Sequence, residues 1–192
     1  NRKVLPTDVV VGQLRRINMC IALAPDDSCC YIGTKTGDLL QVALNEGSAE
    51  PNPRFQKVAE PRFSQGILCM TTVPFNNNDH ACLLGCGDGK VCLAHIDKKK
   101  ARSQELMGSV TSLALAGNGF FAGTSQANTY YSDDLSNKAM PELRSTCHYG
   151  CINDIVYPKE CSELFITCSV NDIRIWNSRS RQELLRIQVP NL

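Results

Sequence analysis

The sequence lacks several features that mark whole classes of protein. Its 192 residues contain no run of about 18 apolar residues and no charged stretch followed by an apolar one near the start, so neither a membrane span nor a signal peptide is predicted. Net charge is nearly absent as well. Twenty Lys and Arg residues face nineteen Asp and Glu residues, and the resulting charge of +1 is too small to predict nucleic-acid binding. We therefore expect neither a nucleic-acid nor a membrane partner.

Two further absences concern the fold and the extent of the chain. Helical periodicity is nearly absent, which predicts an all-β fold. The first residue is Asn1 rather than Met, so we expect a segment of a longer chain. The composition is otherwise ordinary for a globular protein, with 43% hydrophobic and 20% charged residues.

Cysteine, in contrast, is plentiful and odd in number. The eleven cysteines are Cys20, Cys29, Cys30, Cys69, Cys82, Cys86, Cys92, Cys147, Cys151, Cys161 and Cys168. Most lie inside apolar runs, where cysteine acts as a small hydrophobic residue. Because a secreted disulfide scaffold would place an even number in loops, we expect reduced thiols and an intracellular compartment.

One stretch, Ile166 to Trp176, recurs three times upstream in weaker form. Two alternating apolar runs flank a short polar turn in this stretch, a pattern that predicts a β-hairpin. The upstream copies begin at Ile32, Leu84 and Ala122, and the spacings of 52, 38 and 44 residues fit a repeat of roughly 40–45 residues with insertions. This period is typical of propeller blades.

Two positions of the repeat carry small or turn-forming residues. The second position is small in every copy, and we expect it to let neighbouring backbone approach closely; its occupants are Gly33, Gly85, Gly123 and Thr167. The turn position is Gly37, Gly89, Ala127 or Asn171. Glycine and asparagine suit the positive φ of a tight hairpin, so all but Ala127 fit that conformation.

Four-stranded repeats of this length cannot bury their faces alone and stack radially. We therefore predict a β-propeller segment over residues 1–192, with about four four-stranded blades at 12–60, 61–107, 108–147 and 148–190. Because four blades of this period rarely close a ring, we expect an open arc of a larger propeller, or of two joined propellers.

The last unit resembles the WD-repeat pattern. In that family a histidine at the blade entrance, a small hydroxyl residue and a strand tryptophan are hydrogen-bonded across the blade, and His148, Thr167 and Trp176 match them. The acidic member of the pattern is open between two positions. Asn171 stands where the family has aspartate, and Asp172 lies one place later. The other three units lack the histidine and the tryptophan.

Longer strings resemble the cilia- and flagella-associated protein 52 family, two-propeller WD-repeat proteins of motile axonemes. They are NRK at 1–3, GTKTGDLL at 33–40, DIVYP at 154–158, ELFITC at 163–168, DIRIW at 172–176 and RQELLRIQVPN at 181–191. The resemblance implies a central segment of a non-enzymatic structural protein of the cytoskeleton. It further implies a place inside the doublet microtubule of the cilium or flagellum, with tubulin and other axonemal proteins as partners. The alternative is a WD-repeat adaptor of a soluble cytosolic complex, and an enzyme is a third reading.

Two clusters could suggest chemistry. Cys82, Cys86 and Cys92 lie within sixteen residues together with His80 and His95, but the spacing differs from the two close pairs of a zinc knuckle. Packing on a strand face explains these cysteines better, and we expect no metal.

The second cluster, Cys147, His148 and Cys151, pairs a thiol with a base. The blade-bridging role of His148 is the stronger interpretation, so no catalytic residue is expected. Residues 85–89 are a glycine-rich hairpin turn without a following helix, and no nucleotide or other cofactor is expected either.

Two surface features remain. We expect one ring of each aromatic pair, Phe120-Phe121 and Tyr130-Tyr131, to be buried and the other exposed, because the side chains of a strand alternate between faces. Residues 98–100 form a lysine triplet, which we interpret as a solvated loop rather than as a site for an acidic partner.

Overall fold

The computed structural model describes residues 16–44, 55–57, 63–74, 80–96, 101–136, 139–146 and 148–188. Sixteen strands form within these ranges, and they assemble into four antiparallel sheets of four strands. Each sheet joins four strands that follow one another along the chain. The described residues contain no helix with the length and apolar character needed to cross a membrane. The predicted all-β fold with four four-stranded units is confirmed.

The first two sheets correspond to the first two repeats of the sequence. Sheet 1 contains β1 (Asn18–Leu23), β2 (Cys29–Thr34), β3 (Leu39–Ala43) and β4 (Phe55–Lys57). Sheet 2 contains β5 (Ile67–Pro74), β6 (His80–Cys86), β7 (Lys90–His95) and β8 (Ala101–Glu105). The lysine triplet just before β8 lies outside the described residues.

The remaining strands follow the same order. Sheet 3 contains β9 (Val110–Ala116), β10 (Gly119–Thr124), β11 (Thr129–Ser132) and β12 (Glu142–Ser145). Sheet 4 contains β13 (Asp154–Val156), β14 (Leu164–Cys168), β15 (Asp172–Asn177) and β16 (Glu183–Gln188). The prediction of four-stranded blades requires a fourth strand in each unit, and β8 and β12 are that strand in sheets 2 and 3. The blade limits predicted above enclose one sheet each, and the limits themselves stay a prediction.

The four sheets stack side by side through their first strands, which we call the inner strands. β1 contacts β5, β5 contacts β9 and β9 contacts β13. Since each inner strand touches the inner strand of the next sheet, the sheets are arranged as consecutive blades. The stack runs from sheet 1 to sheet 4 as an open arc.

The core lies between the sheets. One apolar cluster fills each junction: Tyr31, Leu39, Ile67 and Leu84 between sheets 1 and 2; Leu83, Val110, Phe120 and Tyr130 between sheets 2 and 3; Phe121, Ile152, Phe165 and Trp176 between sheets 3 and 4. Full burial of such a side chain stabilises a fold by about 1.5–3 kcal/mol. The three junctions therefore hold the arc together.

The aromatic pairs correct one expectation. Phe120 is 0% exposed and Phe121 is 3% exposed, while Tyr130 is buried and Tyr131 half-buried. The two phenylalanines do alternate between faces, because Phe120 packs toward sheet 2 and Phe121 toward sheet 4. The prediction of one exposed ring per pair is wrong, since an internal blade has a neighbour on both faces.

Candidate functional site

Four buried side chains of sheet 4 form a chain of hydrogen bonds, and we call them the tetrad. His148 Nε2 lies 2.6 Å from Thr167 Oγ1, and Trp176 Nε1 donates to the same oxygen over 2.8 Å. His148 Nδ1 lies 2.6 Å from Asp172 Oδ1. All four residues are at most 5% exposed. The tetrad thus links the loop before β13 to β14 and to both ends of β15.

Asp172, not Asn171, is the acidic member of the tetrad. The hairpin of sheet 4 is one residue shorter than the others, because Ser169 N donates to Asp172 O, whereas Thr34 N donates to Asp38 O. Asp172 is 3% exposed and Asn171 is exposed. The shorter turn therefore accounts for the displaced aspartate.

The charge of Asp172 is balanced within sheet 4. Burial raises its pKa, but hydrogen bonds from Arg174 and His148 lower it more, and the pKa lies below its usual value of 3.8. Arg174 Nε donates to Asp172 Oδ2 over 2.7 Å, and a second guanidinium nitrogen donates to Glu183 Oε2 over 2.7 Å. Asp172 is therefore ionised at neutral pH and accepts from two donors.

One tautomer of His148 satisfies every bond of the tetrad. With its proton on Nδ1, His148 donates to Asp172, and its Nε2 accepts from the Thr167 hydroxyl, whose oxygen accepts from Trp176. Both ring nitrogens are then occupied. A base for a neighbouring thiol needs a free nitrogen, so this arrangement favours a structural role for His148.

The three predicted glycines lie on the second strands of sheets 1, 2 and 3. A Cβ atom built on Gly33 would lie 2.7 Å from the side chain of Ile67, and one on Gly85 would lie 2.6 Å from that of Val110. At Gly123 the approach to Ile152 is closer still. Only glycine leaves room at these points for a β-branched residue on, or just before, the next inner strand.

Thr167 does not occupy the fourth equivalent position. Gly33, Gly85 and Gly123 pair with Leu39, Val91 and Thr129, the first or second residue of the following strand. In sheet 4 that partner, Ile173, pairs with Cys168. The ungapped alignment of the four repeats is therefore wrong by one residue in the last copy, because its turn is shorter.

Two of the four turn positions, Ala127 and Asn171, differ from expectation. Gly37, Gly89 and Ala127 adopt positive φ angles of 84°, 89° and 62°. Asn171 is absent from the described residues with positive φ. Ala127 therefore adopts a left-handed conformation that alanine disfavours. It does so because it occupies the longer turn that sheets 1 to 3 share.

A hydrogen bond that the sequence analysis did not predict recurs between neighbouring blades. Cys20 Sγ donates to the carbonyl of Ile67 over 3.7 Å, Cys69 Sγ to that of Val110 over 3.6 Å, and Ser112 Oγ to that of Ile152 over 3.4 Å. The three donors pair directly with Gly33, Gly85 and Gly123 in the register. In the sequence, this contact is indicated by a small residue with a hydrogen-bond donor, cysteine or serine, on the strand that precedes each repeated glycine.

The cysteines of the candidate metal cluster are packed in the core. Cys82, Cys86 and Cys92 lie in the core between sheets 1 and 2, and His80 Nε2 lies 2.6 Å from Tyr31 Oη. Within the described ranges, no three His, Cys, Asp or Glu side chains are placed to hold a metal ion. The ten described cysteines are free thiols. Cys147 lies outside the described residues.

Both ends of the arc carry exposed apolar side chains. Met19, Ile21 and Leu23 project from β1 and are 44–65% exposed. At the other end, Val156 pairs with Ile166, Ile166 with Ile175, and Ile175 with Leu185, which forms an apolar row across all four strands of sheet 4. Patches of this kind normally contact another surface.

The fold is similar to that of a solved WD40 β-propeller. No protein-family model matches the chain. The WD40 β-propeller domain of Doa1 superposes with a TM-score of 0.67 over 88% of this chain and 54% of that one, at 12% identity. This likeness shows the fold alone.

Sequence relatives are more informative. Cilia- and flagella-associated protein 52 is 36% identical in Bos taurus and in Homo sapiens, and 35% identical in Chlamydomonas reinhardtii, in each case across 100% of this chain. The chain spans 30% of the length of these curated relatives. It is thus a WD-repeat β-propeller segment homologous, along its whole length, to the cilia- and flagella-associated protein 52 proteins.

Proposed function

We propose that the chain is part of a non-enzymatic scaffold of the axoneme in a cilium or flagellum. In this proposal the full protein lies inside the doublet microtubule and binds tubulin and neighbouring inner proteins. The observation that carries it is the similarity across the whole chain to cilia- and flagella-associated protein 52 of both mammals and an alga. The cytoplasm, the cytoskeleton and the axoneme are the corresponding locations.

The architecture supports a scaffold. Sheets 2 and 3 bury both faces against their neighbours, and the chain presents loops, rims and outer strands to partners. Among the described residues, Tyr149 is an aromatic side chain that is 84% exposed. It follows the buried His148 directly, and the guanidinium carbon of Arg186 lies 5.4 Å from the centre of its ring. Tyrosines in such positions are enriched in protein interfaces.

The tetrad supports the same reading. Its histidine has both ring nitrogens in hydrogen bonds and its aspartate accepts from Arg174, so the polar groups of the tetrad are satisfied internally. All four tetrad residues are at most 5% exposed, whereas a general base must lie within hydrogen-bond reach of its substrate. A buried network whose polar groups are all satisfied supports a structural role.

A tagged full-length protein expressed in flagellated cells tests the proposal. We expect the label along the axoneme, retained after detergent and high salt remove surface-bound proteins, and released only when the doublets are opened. Cross-linking of isolated doublets followed by peptide identification should join this protein to the luminal face of tubulin.

A label that stays in the detergent-soluble fraction would contradict the axonemal proposal and favour the soluble adaptor. A label released by salt alone would contradict the luminal position while leaving an axonemal role. A tagged unrelated propeller of similar size, expressed in parallel, controls for trapping.

A further inference from the structure

Tyr149 and Arg186 form an exposed pair beside the tetrad, at the end of sheet 4 that carries the β14–β15 turn. Tyr149 precedes β13 and is 84% exposed, and the guanidinium carbon of Arg186, on β16, lies over its ring at 5.4 Å from the ring centre. The side chain of Arg186 is 30% exposed, so a ligand can reach it. A cation and an aromatic ring attract each other in this arrangement, and the contact helps to fix the position of both side chains.

Arg186 is bound less closely to the buried Asp172 than the other two donors are. Asp172 Oδ1 lies 2.6 Å from His148 Nδ1, and Oδ2 accepts from Arg174 Nε over 2.7 Å. Arg186 Nε lies 3.4 Å from Oδ2 and makes no hydrogen bond within the described residues. The two terminal nitrogens of Arg186 make no hydrogen bond or ion pair in that part of the chain either. Arg186 therefore offers a pair of free donors, and the fork that they form matches a carboxylate.

The surface next to this pair is apolar. Val170, in the β14–β15 turn, is 66% exposed. It lies close to the loop of Tyr149, because a Cβ atom built on Gly150 would be 3.6 Å from Val170 Cγ2. We call Tyr149, Val170 and Arg186 the Tyr149 patch. It combines one forked donor with two exposed apolar side chains, and tyrosine and arginine are the residue types enriched among the residues that dominate binding energy in protein interfaces.

We propose that the Tyr149 patch binds an acidic side chain of a partner protein. The carboxylate of the partner accepts hydrogen bonds from the two terminal nitrogens of Arg186, and apolar atoms beside that carboxylate contact Tyr149 and Val170. A nucleic acid or a membrane surface fits less well, because such polyanions are bound by several cations together and the patch has one. The proposal rests on the proposed scaffold role but not on the axonemal location, so peptide binding and localisation can fail separately.

Selection from a phage-displayed library of random dodecapeptides on the full-length protein tests this inference. The library is first depleted on the R186Q variant, which removes phage that bind elsewhere on the protein, and is then selected on the wild type. Enriched peptides are synthesised with a fluorescent label and titrated by anisotropy against the wild type, R186Q, R186K and Y149A.

Two control variants are matched in chemistry. R179Q removes an exposed arginine from the β15–β16 turn, at the opposite end of β15 from Val170. M107A removes an exposed apolar side chain from the loop before β9. Thermal melting of each variant checks that the fold is retained. Because Tyr149 is 84% exposed, Y149A keeps the test decisive even if R186Q is destabilised.

We expect the enriched peptides to carry an Asp or Glu next to an apolar residue. Their affinity should fall about ten-fold or more on R186Q, because hydrogen bonds between charged groups are lost. It should fall less on R186K, which keeps the charge but not the fork, and about five-fold or more on Y149A. R179Q and M107A should bind like the wild type. Peptides with Asn or Gln in place of the acidic residue should bind the wild type and R186Q equally.

Four outcomes would overturn the proposal. The depleted library could yield no binder, the enriched peptides could lack an acidic residue, or they could bind R186Q and Y149A as well as the wild type. In the fourth outcome, vesicles rich in phosphatidylserine or a single-stranded RNA bind the wild type but not R186Q, and the ligand is then a polyanion. Each outcome removes either the site or the stated chemistry of its ligand.

Discussion

Replacing Thr167 with valine removes one oxygen from the centre of the tetrad while keeping the shape of the side chain. Thr167 is 0% exposed, and its Oγ1 accepts from Trp176 Nε1 and contacts His148 Nε2. Both nitrogens would be left buried without a partner. An unsatisfied buried polar group costs about 1–3 kcal/mol, so with two such groups we expect the free energy of unfolding to fall by about 2–5 kcal/mol.

Hydrogen exchange of the full-length protein measures this loss locally. The amides of β14 and β15 should exchange about 30-fold faster or more in the T167V variant, since every 1.4 kcal/mol of opening free energy is a factor of ten. T71V is the matched control. Thr71 is half-buried on β5 and makes no side-chain hydrogen bond within the described residues, so its exchange should change little.

A double variant sharpens the test. W176F removes the indole N–H, so T167V combined with W176F leaves one unsatisfied group fewer than the single changes predict together. We expect the double variant to cost less than the sum of the two single changes. If T167V costs no more than T71V, or if the two changes are additive, the tetrad is not a coupled hydrogen-bond network and the reasoning fails.

Four further predictions concern packing, thiols and the arc. G123A should lose about 1–3 kcal/mol because its new methyl group overlaps Ile152, whereas G150A, whose nearest neighbours are at 3.6 Å, should be nearly neutral; equal melting temperatures would contradict this. Burial raises the pKa of Cys20 from 9.0 to about 11 and that of Cys82 to about 12, so their contribution to stability is complete below pH 9 and should be lost as pH rises toward 12; a flat stability profile in that range would refute it. Denatured, unreduced protein should titrate close to eleven thiols. The isolated 192-residue segment should self-associate or melt without cooperativity, unlike the full-length protein, and a monomeric, cooperatively melting segment would mean that the arc is stable by itself.

Much of the fold follows from local patterns that need no knowledge of the partners. The alternating runs around each turn specify a hairpin by themselves, and Gly37 and Gly89 favour the positive φ that the longer turn adopts. The repeat of small residues predicted the close approach of neighbouring blades at Gly33, Gly85 and Gly123. These features were readable because backbone conformation and strand alternation depend on adjacent residues.

The outer strands were harder to predict, for a physical reason. β8 and β12 read ARSQE and ELRS, with few apolar residues to alternate. An outer strand is held by backbone hydrogen bonds to one neighbour more than by burial, and backbone bonds leave no mark in the side-chain pattern.

Tertiary structure alone decided the points at which blades meet. Only the packed arc buries both Phe120 and Phe121, because their opposite faces meet different neighbouring sheets. Only the pairing of strands selects Asp172 over Asn171 and places Cys168 in the position of the repeated glycine. The sequence by itself determined the hairpins and their repetition, which are short-range properties. Contacts between blades join residues about forty positions apart, as from Ser112 to Ile152, and only the folded chain brings them together.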